Sequence, residues 1–279
     1  MICWVNVMQK RFFLWLLAIS LVLSCQTKPV DNIEEQSPAV SFGGNTAFEE
    51  FCISRFDIDG DGVLTVRECD LVKEIDCSSQ NLKSLEGIKN FKKLETLFCY
   101  YNIFNDIDLS GLEFLKYFYG ESSNIHSLNV DGCKSLLVLD AHYNFLSSID
   151  ISSCKELYLL SVCFNPHLEK LDVSSNPLIG VLYCQQCSLT ELSLGDKPAL
   201  FGLHCWNNAL ESLDLSGCTA LEDIWCGDNN LLELDIRNCP AKMSTVSAPR
   251  NSRLYRAYFK KDQIITSLEL PNITIVHYE

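Results

Sequence analysis

The chain has 279 residues, of which 47% are hydrophobic and 21% are charged. It carries 22 basic and 36 acidic side chains, so its formal net charge is −14 at pH 7. This balance excludes a typical nucleic-acid-binding protein, because phosphate contacts need Lys and Arg. The length suits one elongated domain with small additions.

The first 24 residues are predicted to be a secretory signal. Lys10 and Arg11 precede an apolar run over residues 12–23, which is too short for a typical membrane-spanning helix. The run ends in V-L-S-C, which resembles the bacterial lipobox. That resemblance implies that Cys25 is lipidated and becomes the first mature residue, the alternative being ordinary cleavage with Cys25 incidental.

Removing residues 1–24 takes away two basic and no acidic residues, which leaves 20 against 36, or −16. Membrane attachment would therefore depend on the lipid and not on charge. Residues 25–45 are polar and contain Pro29, Pro38 and the pair Gly43-Gly44. We predict that this segment is a lipid-anchored flexible tether.

Residues 57–68 read D-I-D-G-D-G-V-L-T-V-R-E and match the calcium loop of an EF-hand at every coordinating position. Gly62 permits the sharp turn of the loop. The predicted Ca²⁺ ligands are Asp57, Asp59, Asp61, Val63 through its carbonyl, Thr65 and Glu68. The alternative is an Asp-rich turn that binds nothing.

The sequence contains no second loop of this kind, although EF-hands usually occur in pairs. We therefore predict that residues 46–74 form a cap on the exposed end of a solenoid, with a structural rather than a sensory calcium site.

Residues 75–247 contain a repeat of 21 or 22 residues, L-x-x-L-x-C-x-x-N-x-L-x-x-L-D-L-S-x-C. A fixed period of this length predicts a solenoid in which each coil buries the apolar edge of its neighbour. The coils start at Leu94, Leu115, Leu136, Leu157, Ile179, Leu200 and Leu221. Positions one, four and six point inward and form one short strand per coil, so that stacking produces a parallel sheet.

The cysteines fall mainly on two inward-facing positions, where a free thiol acts as a small hydrophobic group. Position six holds Cys77, Cys99, Cys184, Cys205 and Cys226, and position nineteen holds Cys133, Cys154, Cys218 and Cys239. We favour thiols over disulfides. Cys184 and Cys187 form a lone C-Q-Q-C, which is only a weak metal or redox signal.

Two polar positions recur at the turns. Position nine holds Asn102, Asn144, Asn165, Asn208 and Asn229, and a later turn holds Asp108, Asp150, Asp172, Asp214 and Asp235. Side chains of both types bond nearby backbone groups, so we assign them to turns. A carboxylate ladder that binds cations is the alternative for the aspartates, but Asn129 and Ser193 interrupt it.

The spacing resembles the leucine-rich repeat family. By that resemblance, positions three, five, seven and eight face outward from a concave sheet. The ligand-binding residues that this predicts are Phe98, Tyr100, Tyr117, Tyr119, Tyr143, Phe164, Tyr183, His204, Trp206 and Trp225. Tyr and Trp are enriched in binding interfaces, whereas a purely structural reading holds that aromatic residues simply suit strands. Charges on this face are few: Glu121, Asp140, Asp223 and Asp228.

We find no catalytic motif and predict that the protein is not an enzyme. After Ala248 the chain leaves the repeat, and its alternating apolar residues predict a C-terminal β cap over residues 248–279. The predicted fold class is therefore an α/β-type solenoid, mostly β and coil, behind a small helical cap.

The whole resembles the bacterial leucine-rich repeat lipoproteins, including the internalin-type surface proteins. The resemblance implies a monomeric protein of the outer membrane, cell surface or periplasm that uses its aromatic concave face in adhesion or protein binding. A glycan-binding component of polysaccharide capture and a periplasmic structural scaffold are the alternatives.

Overall fold

A computed structural model of the protein describes residues 37–279. The predicted signal, the lipidation site at Cys25 and most of the predicted tether lie outside the described residues. Within the described part, no helix combines the length and the apolar character that crossing a membrane requires.

The described chain begins with two helices and continues as short strands. The helices are α1 (Thr46–Phe56) and α2 (Val66–Leu71), and one turn of 3₁₀ helix follows at Ile88–Asn90. The strands are β1 (Glu74–Asp76), β2 (Thr96–Phe98), β3 (Asp106–Asp108), β4 (Tyr117–Tyr119), β5 (Ser127–Asn129), β6 (Val138–Asp140), β7 (Leu159–Ser161), β8 (Lys170–Asp172), β9 (Val181–Tyr183), β10 (Glu191–Ser193), β11 (Gly202–His204), β12 (Asp223–Trp225), β13 (Glu233–Asp235), β14 (Lys242–Ser247), β15 (Arg256–Phe259), β16 (Ile264–Glu269) and β17 (Ile275–Tyr278).

The main sheet has ten parallel strands, in the order β1-β2-β4-β6-β7-β9-β11-β12-β14-β16. The repeat sets its register, because position four of one coil pairs with position four of the next: Leu97 with Phe118, Phe118 with Leu139, and so on. The chain is therefore a parallel-strand solenoid, and the predicted fold class is confirmed.

Further short strands line the second half of the coils. They form three small parallel sheets, β3-β5, β8-β10 and β13-β15-β17. Between these strands and the main sheet lies one continuous apolar core, built from the Leu, Ile and Cys of every coil. The inward positions predicted from the repeat are confirmed, since Leu94, Leu97 and Cys99 are fully buried.

All thirteen described cysteines are free thiols, and all but Cys187 are buried. Burial raises the pKa of the Cys184 and Cys205 thiols well above the usual value. The two ladders therefore fill space in the core as neutral side chains. Cys187 occupies position nine of its coil, where its Sγ contacts the carbonyl oxygen of Val162 at 3.3 Å, so it takes the turn role of the asparagines.

The asparagines of position nine join neighbouring coils. Asn165 Nδ2 donates to the carbonyl oxygens of Ala141 at 3.0 Å and Val162 at 2.8 Å, while its Oδ1 accepts from the Leu146 N–H at 2.8 Å. The other asparagines of this position repeat most of this pattern. Each side chain satisfies buried backbone groups that no strand pairing reaches.

The aspartates of the later turn bond the backbone two residues ahead. Asp108, Asp150 and Asp214 each accept from a Ser N–H at 2.9 to 3.0 Å. Asp172 and Asp235 do the same toward Ser174 and Arg237. These contacts support the turn role and explain why the same position tolerates Asn129, whose Oδ1 accepts from the Asp131 N–H.

The N-terminal cap packs on the first coil through aromatic rings. Phe42 and Phe56 lie with their ring centroids 6.3 and 5.8 Å from that of Phe91, which is fully buried. Residues 37–45 were predicted to belong to the tether, but in the structure they belong to the cap. Phe42 is buried and packs on Phe91, and Ala39 forms an antiparallel bridge with Thr65 in the predicted calcium loop.

The C-terminal segment differs from the predicted cap. Asn251 extends the asparagine ladder, because its Nδ2 donates to the carbonyl oxygens of Cys226 and Ala248 at 3.0 Å. Strands β16 and β17 then extend the existing sheets in parallel register. The segment continues the solenoid, and the side chains of Ile264 and Ile275 on its last coil remain exposed.

Candidate binding face and calcium loop

The predicted calcium loop joins α1 to α2 and gathers its three aspartates. Asp57, Asp59 and Asp61 each place one carboxylate oxygen within 4.8 Å of the other two. The loop backbone holds this arrangement: Asp57 accepts from the Gly60 and Gly62 N–H groups, both at 2.8 Å. These bonds, the Gly62 contact foremost, lower the pKa of Asp57, so the carboxylate is ionised at neutral pH.

Glu68 lies at the start of α2 and reaches back across the loop. Its Oε1 accepts from the Ile58 N–H at 2.8 Å, and its Oε2 accepts from the N–H and Oγ1 of Thr65 at 2.9 and 2.8 Å. Although burial opposes it, this bonding lowers the pKa of Glu68. Carboxylate, hydroxyl and carbonyl oxygens are the ligands that Ca²⁺ takes, so the residues fit this ion.

All ten residues predicted to bind a ligand lie on the outer side of the main sheet or at the ends of its strands. We call this surface the sheet face and define it by positions three, five, seven and eight of the coils. Each of the ten is half-buried or exposed, with Tyr143 at 47% and Trp225 at 40% exposure. They alternate with fully buried neighbours, as the period-two pattern predicts.

The rings do not form the continuous row that the sequence suggested. A first cluster stacks Phe98 on Tyr119, with ring centroids 5.0 Å apart, and Tyr100 packs on its edge. A second cluster stacks Tyr183, His204 and Trp225, with centroid separations of 5.0 and 5.9 Å. The two clusters lie toward opposite ends of the sheet face, because β6 and β7 between them carry no aromatic residue.

Tyr143 and Phe164 form a separate stacked pair, with ring centroids 4.0 Å apart. Both residues have a left-handed backbone, with φ of 53° and 58°. Position eight has this conformation in each coil from the one at Leu94 to the one that contains β14, and Asn207 and Asp228 suit it better than large side chains do. Bulky aromatic rings at this position therefore run against the local backbone preference.

Between the two clusters lies a group that we call the polar centre: Glu121, Asp140, His142, Ser161, Cys163 and Gln185. Asp140 is 7% exposed, and its Oδ1 lies 2.5 Å from Nδ1 of His142. Burial lowers the pKa of His142, but the hydrogen bond and charge of Asp140, together with the charge of Glu121, raise it overall. Burial, aided by the charge of Asp140, raises the pKa of Glu121 to about 7.

Sequence reasoning identified Glu121 and Asp140 only as charges on this face and missed Gln185. Their positions in the repeat carried the missing signal, because positions five and seven of adjacent coils are neighbours on the sheet face. The burial of Asp140 could not be read from that pattern, since the same positions are half-buried or exposed in several other coils.

Cys163 and His142 occupy the same position in adjacent coils, which raises the question of a thiol nucleophile. The Cys163 thiol instead contacts Ser161 Oγ at 3.8 Å. Burial and the charge of Asp140 raise its pKa far above neutrality, so it is a thiol and not a reactive thiolate. The cysteine–histidine pair of the polar centre therefore lacks the activation that nucleophilic catalysis needs.

Coil length, strand register and the asparagine ladder together define a solenoid with the leucine-rich repeat fold. Known structures agree. The functional domain of InlJ from Listeria monocytogenes, which includes a cysteine ladder, is similar with a TM-score of 0.51 and 20% identity over 85% of this chain. YopM, a leucine-rich effector protein from Yersinia pestis, is similar with a TM-score of 0.53 and 20% identity over 87% of this chain.

The chain spans 62% of the InlJ chain and 67% of the YopM chain. No protein-family model matches the chain, and no curated protein matches it in sequence. At this identity the similarity establishes the fold, and function rests on the residues themselves.

Proposed function

We propose that this protein binds another protein through its sheet face, at the cell envelope. The observation that carries the proposal is the pair of aromatic clusters, whose rings are half-buried or exposed where core packing does not need them. Large rings with polar edges are typical anchors of protein interfaces. A long surface of stacked coils favours a macromolecule over a small molecule.

A pull-down with the purified protein in calcium tests this proposal. The double variant Trp206→Ala with Trp225→Ala is compared with a matched pair of exposed aromatic residues outside the sheet face, Phe114→Ala with Tyr255→Ala. We expect a partner that the first double variant loses and the second retains. Retention by both variants would move the site off the sheet face, and the absence of any partner would favour the scaffold alternative.

A glycan array distinguishes glycan binding from protein binding. A specific glycan signal that requires Trp206 and Trp225, without any protein partner, would replace the proposed function with polysaccharide capture. Aromatic rings also stack on sugar rings, so the array uses the same two double variants as the pull-down.

We further propose that the loop of residues 57–68 binds one Ca²⁺ that stabilises the cap. The ligands would be Asp57, Asp59, Asp61, Val63 through its carbonyl, Thr65 and Glu68. The support is the gathered carboxylates and the burial of α1 residues Phe48 and Cys52 against the core. Since ligand binding to the folded state alone raises its stability, Ca²⁺ should raise the melting temperature.

Calorimetric titration of chelator-treated protein with CaCl₂ measures this binding. One site is expected, with loss of binding in Asp59→Asn and no change in the control Asp106→Asn, an exposed aspartate outside the loop. An equal melting temperature with and without chelator would contradict the proposal that Ca²⁺ stabilises the cap.

The third proposal is that Cys25 carries a lipid that anchors the protein at the outer membrane. It rests on the lipobox resemblance alone. Detergent phase partitioning of the protein made in a bacterial host is expected to place it in the detergent phase and the Cys25→Ala variant in the aqueous phase. Protease treatment of intact cells then separates the cell surface, where the protein is digested, from the periplasm, where it survives.

A further inference from the structure

The polar centre contains polar atoms that the protein leaves without partners. Oε2 of Glu121 is buried and has no hydrogen-bond partner. Gln185, in the same position three coils further on, is 0% exposed, and neither its Oε1 nor its Nε2 has a partner. Leaving such groups unpaired destabilises the folded protein. Buried polar groups without a partner therefore need an explanation, and a ligand that supplies the missing bonds is one.

The charges around the polar centre have one sign. From the coil at Leu94 to the coil that contains β14, positions three, five and seven carry no Lys or Arg. They do carry the carboxylates of Glu121, Asp140 and Asp223. His142 is the one cationic neighbour that Asp140 has within hydrogen-bond distance, and it engages Oδ1. Glu121 has no ion pair among the described residues.

Based on the proposed function, we propose that the polar centre binds a basic side chain of the protein partner, with its ammonium or guanidinium group at the carboxylates of Glu121 and Asp140. A guanidinium presents several donors in one plane and suits two carboxylates together. The aromatic faces beside it, Tyr119 and Tyr143, add cation–π attraction. A cation would also offset the repulsion between the two carboxylates, which raises the pKa of Glu121 in addition to the larger effect of burial.

Gln185 favours a polypeptide as the source of that side chain. Its amide offers one acceptor and one donor group, and a peptide unit offers the complementary donor and acceptor. A metal ion is a poorer match for the polar centre. Among the described residues, three metal-ligating atoms come within 4.8 Å of one another only in the calcium loop.

The test uses two peptides of similar shape, acetyl-Ser-Arg-Ser-amide and its citrulline analogue, in which a neutral urea replaces the guanidinium group. The readout is the imidazole resonance of His142, one of five histidines in the chain, which is assigned by comparison with His142→Gln. We expect the arginine peptide to shift this resonance to saturation and the citrulline peptide to have little effect. Equal shifts from both peptides, or none from either, would overturn the proposal.

Two variants test where the arginine peptide binds. Glu121→Gln keeps the shape of the side chain. We expect it to lower the affinity for the arginine peptide roughly tenfold, because a charge-assisted hydrogen bond is lost. The control Glu113→Gln removes one charge from a residue that pairs with Lys134 away from the sheet face, and it should leave affinity unchanged. Unchanged affinity in Glu121→Gln would contradict the proposal. Melting temperatures confirm that both variants are folded.

The pull-down described above separates the two proposals. A partner lost by the Trp206 and Trp225 double variant but retained by Glu121→Gln supports the binding face and overturns the basic anchor. An arginine-peptide signal lost in Glu121→Gln, with a partner that binds elsewhere, supports the anchor site and overturns the proposed function. A glycan signal with no peptide binding overturns both.

Discussion

His142 Nδ1 lies 2.5 Å from Oδ1 of Asp140, which is the last residue of β6. The side chains of this strand are buried, including those on the sheet face. The pair stands between two aromatic clusters, and Glu121 of the preceding coil adds a second carboxylate. The sheet face therefore has a titratable centre that changes its charge near neutral pH.

The stability of the protein should fall as the pH rises from 5.5 to 8. The pKa of Glu121 is raised to about 7 from its usual 4.5, so the folded state holds the proton more tightly and ionisation destabilises it as the pH rises through that interval. The pKa of His142 is also raised in the folded state. Its stabilising contribution is therefore fully present below the pKa of the unfolded state, and it is lost as the pH rises through the pKa of the folded state. Glu121 and His142 therefore both make the folded state less stable as the pH rises.

Thermal unfolding at pH 5.5 and 8 measures this effect. Glu121→Gln should raise the melting temperature at pH 8 by roughly 3 °C and reduce the difference between the two pH values. A melting temperature that is higher at pH 8 in the wild type would contradict the assignment.

Replacing Asn165 by alanine should destabilise the solenoid strongly. The change removes the donor to the Ala141 and Val162 carbonyls and the acceptor for the Leu146 N–H, all in a buried region. At about 1–3 kcal/mol for each unpaired group, we expect a loss of about 3 kcal/mol or more. Urea unfolding provides the measurement. The exposed Asn230→Ala is the control and should change stability by less than about 0.5 kcal/mol.

Replacing Lys197 by methionine should stabilise the protein. Lys197 occupies the place of the second cysteine ladder, is fully buried, and its Nζ has no hydrogen-bond partner. Burial lowers its pKa, which means that the charged form is disfavoured there. An apolar side chain of similar length removes that penalty, and a gain of about 1–2 kcal/mol in urea unfolding is expected. A loss of stability would show that the ammonium has a partner in solution.

The thiols of both ladders should be unreactive in the folded protein. Burial holds the pKa of Cys99 and Cys184 well above the usual value, and that of Cys226 at about 12. Because the thiolate is the reactive form, a thiol reagent at pH 8 should modify the described cysteines roughly 100-fold more slowly than in urea. Mass spectrometry of the labelled peptides locates the reaction. Rapid labelling of Cys184 in the native state would contradict the burial of the ladder.

Phe91→Ala should uncouple the cap from the first coil. The ring of Phe91 packs against those of Phe42 and Phe56, and its removal should cost about 3–5 kcal/mol. The increase in melting temperature that we expect from Ca²⁺ should then be smaller, because the cap no longer packs firmly on the core. Melting temperatures with and without chelator test both effects. The control is Phe114→Ala, whose ring is exposed.

The loop of residues 57–68 and the tether differ in how far the sequence could predict them. The clustering of Asp57, Asp59 and Asp61 could be predicted, because the spacing of an EF-hand loop brings these carboxylates together. The role of residues 37–45 could not. Their composition is that of a flexible segment, and only the contact of Phe42 with Phe91 and the bridge from Ala39 to Thr65 order them.

The C-terminal segment shows the same limit for a different reason. Its alternation correctly indicated strands, but alternation does not say which edge a strand joins. β16 pairs in parallel with β14, so the segment adds a coil and does not close the solenoid. Asn251 was the local signal, since it stands where the asparagine ladder of the preceding coils continues.

The sequence by itself determined the solenoid, its inward cysteine ladders and its turn residues. A period of 21 or 22 residues places each side chain in the same environment in every coil, so one coil predicts the next. Only the tertiary structure decided that the sheet face has two aromatic clusters and a polar centre. Asp140 and Gln185 are buried, whereas positions five and seven of several other coils hold half-buried or exposed side chains, so the repeat period alone does not predict their environment.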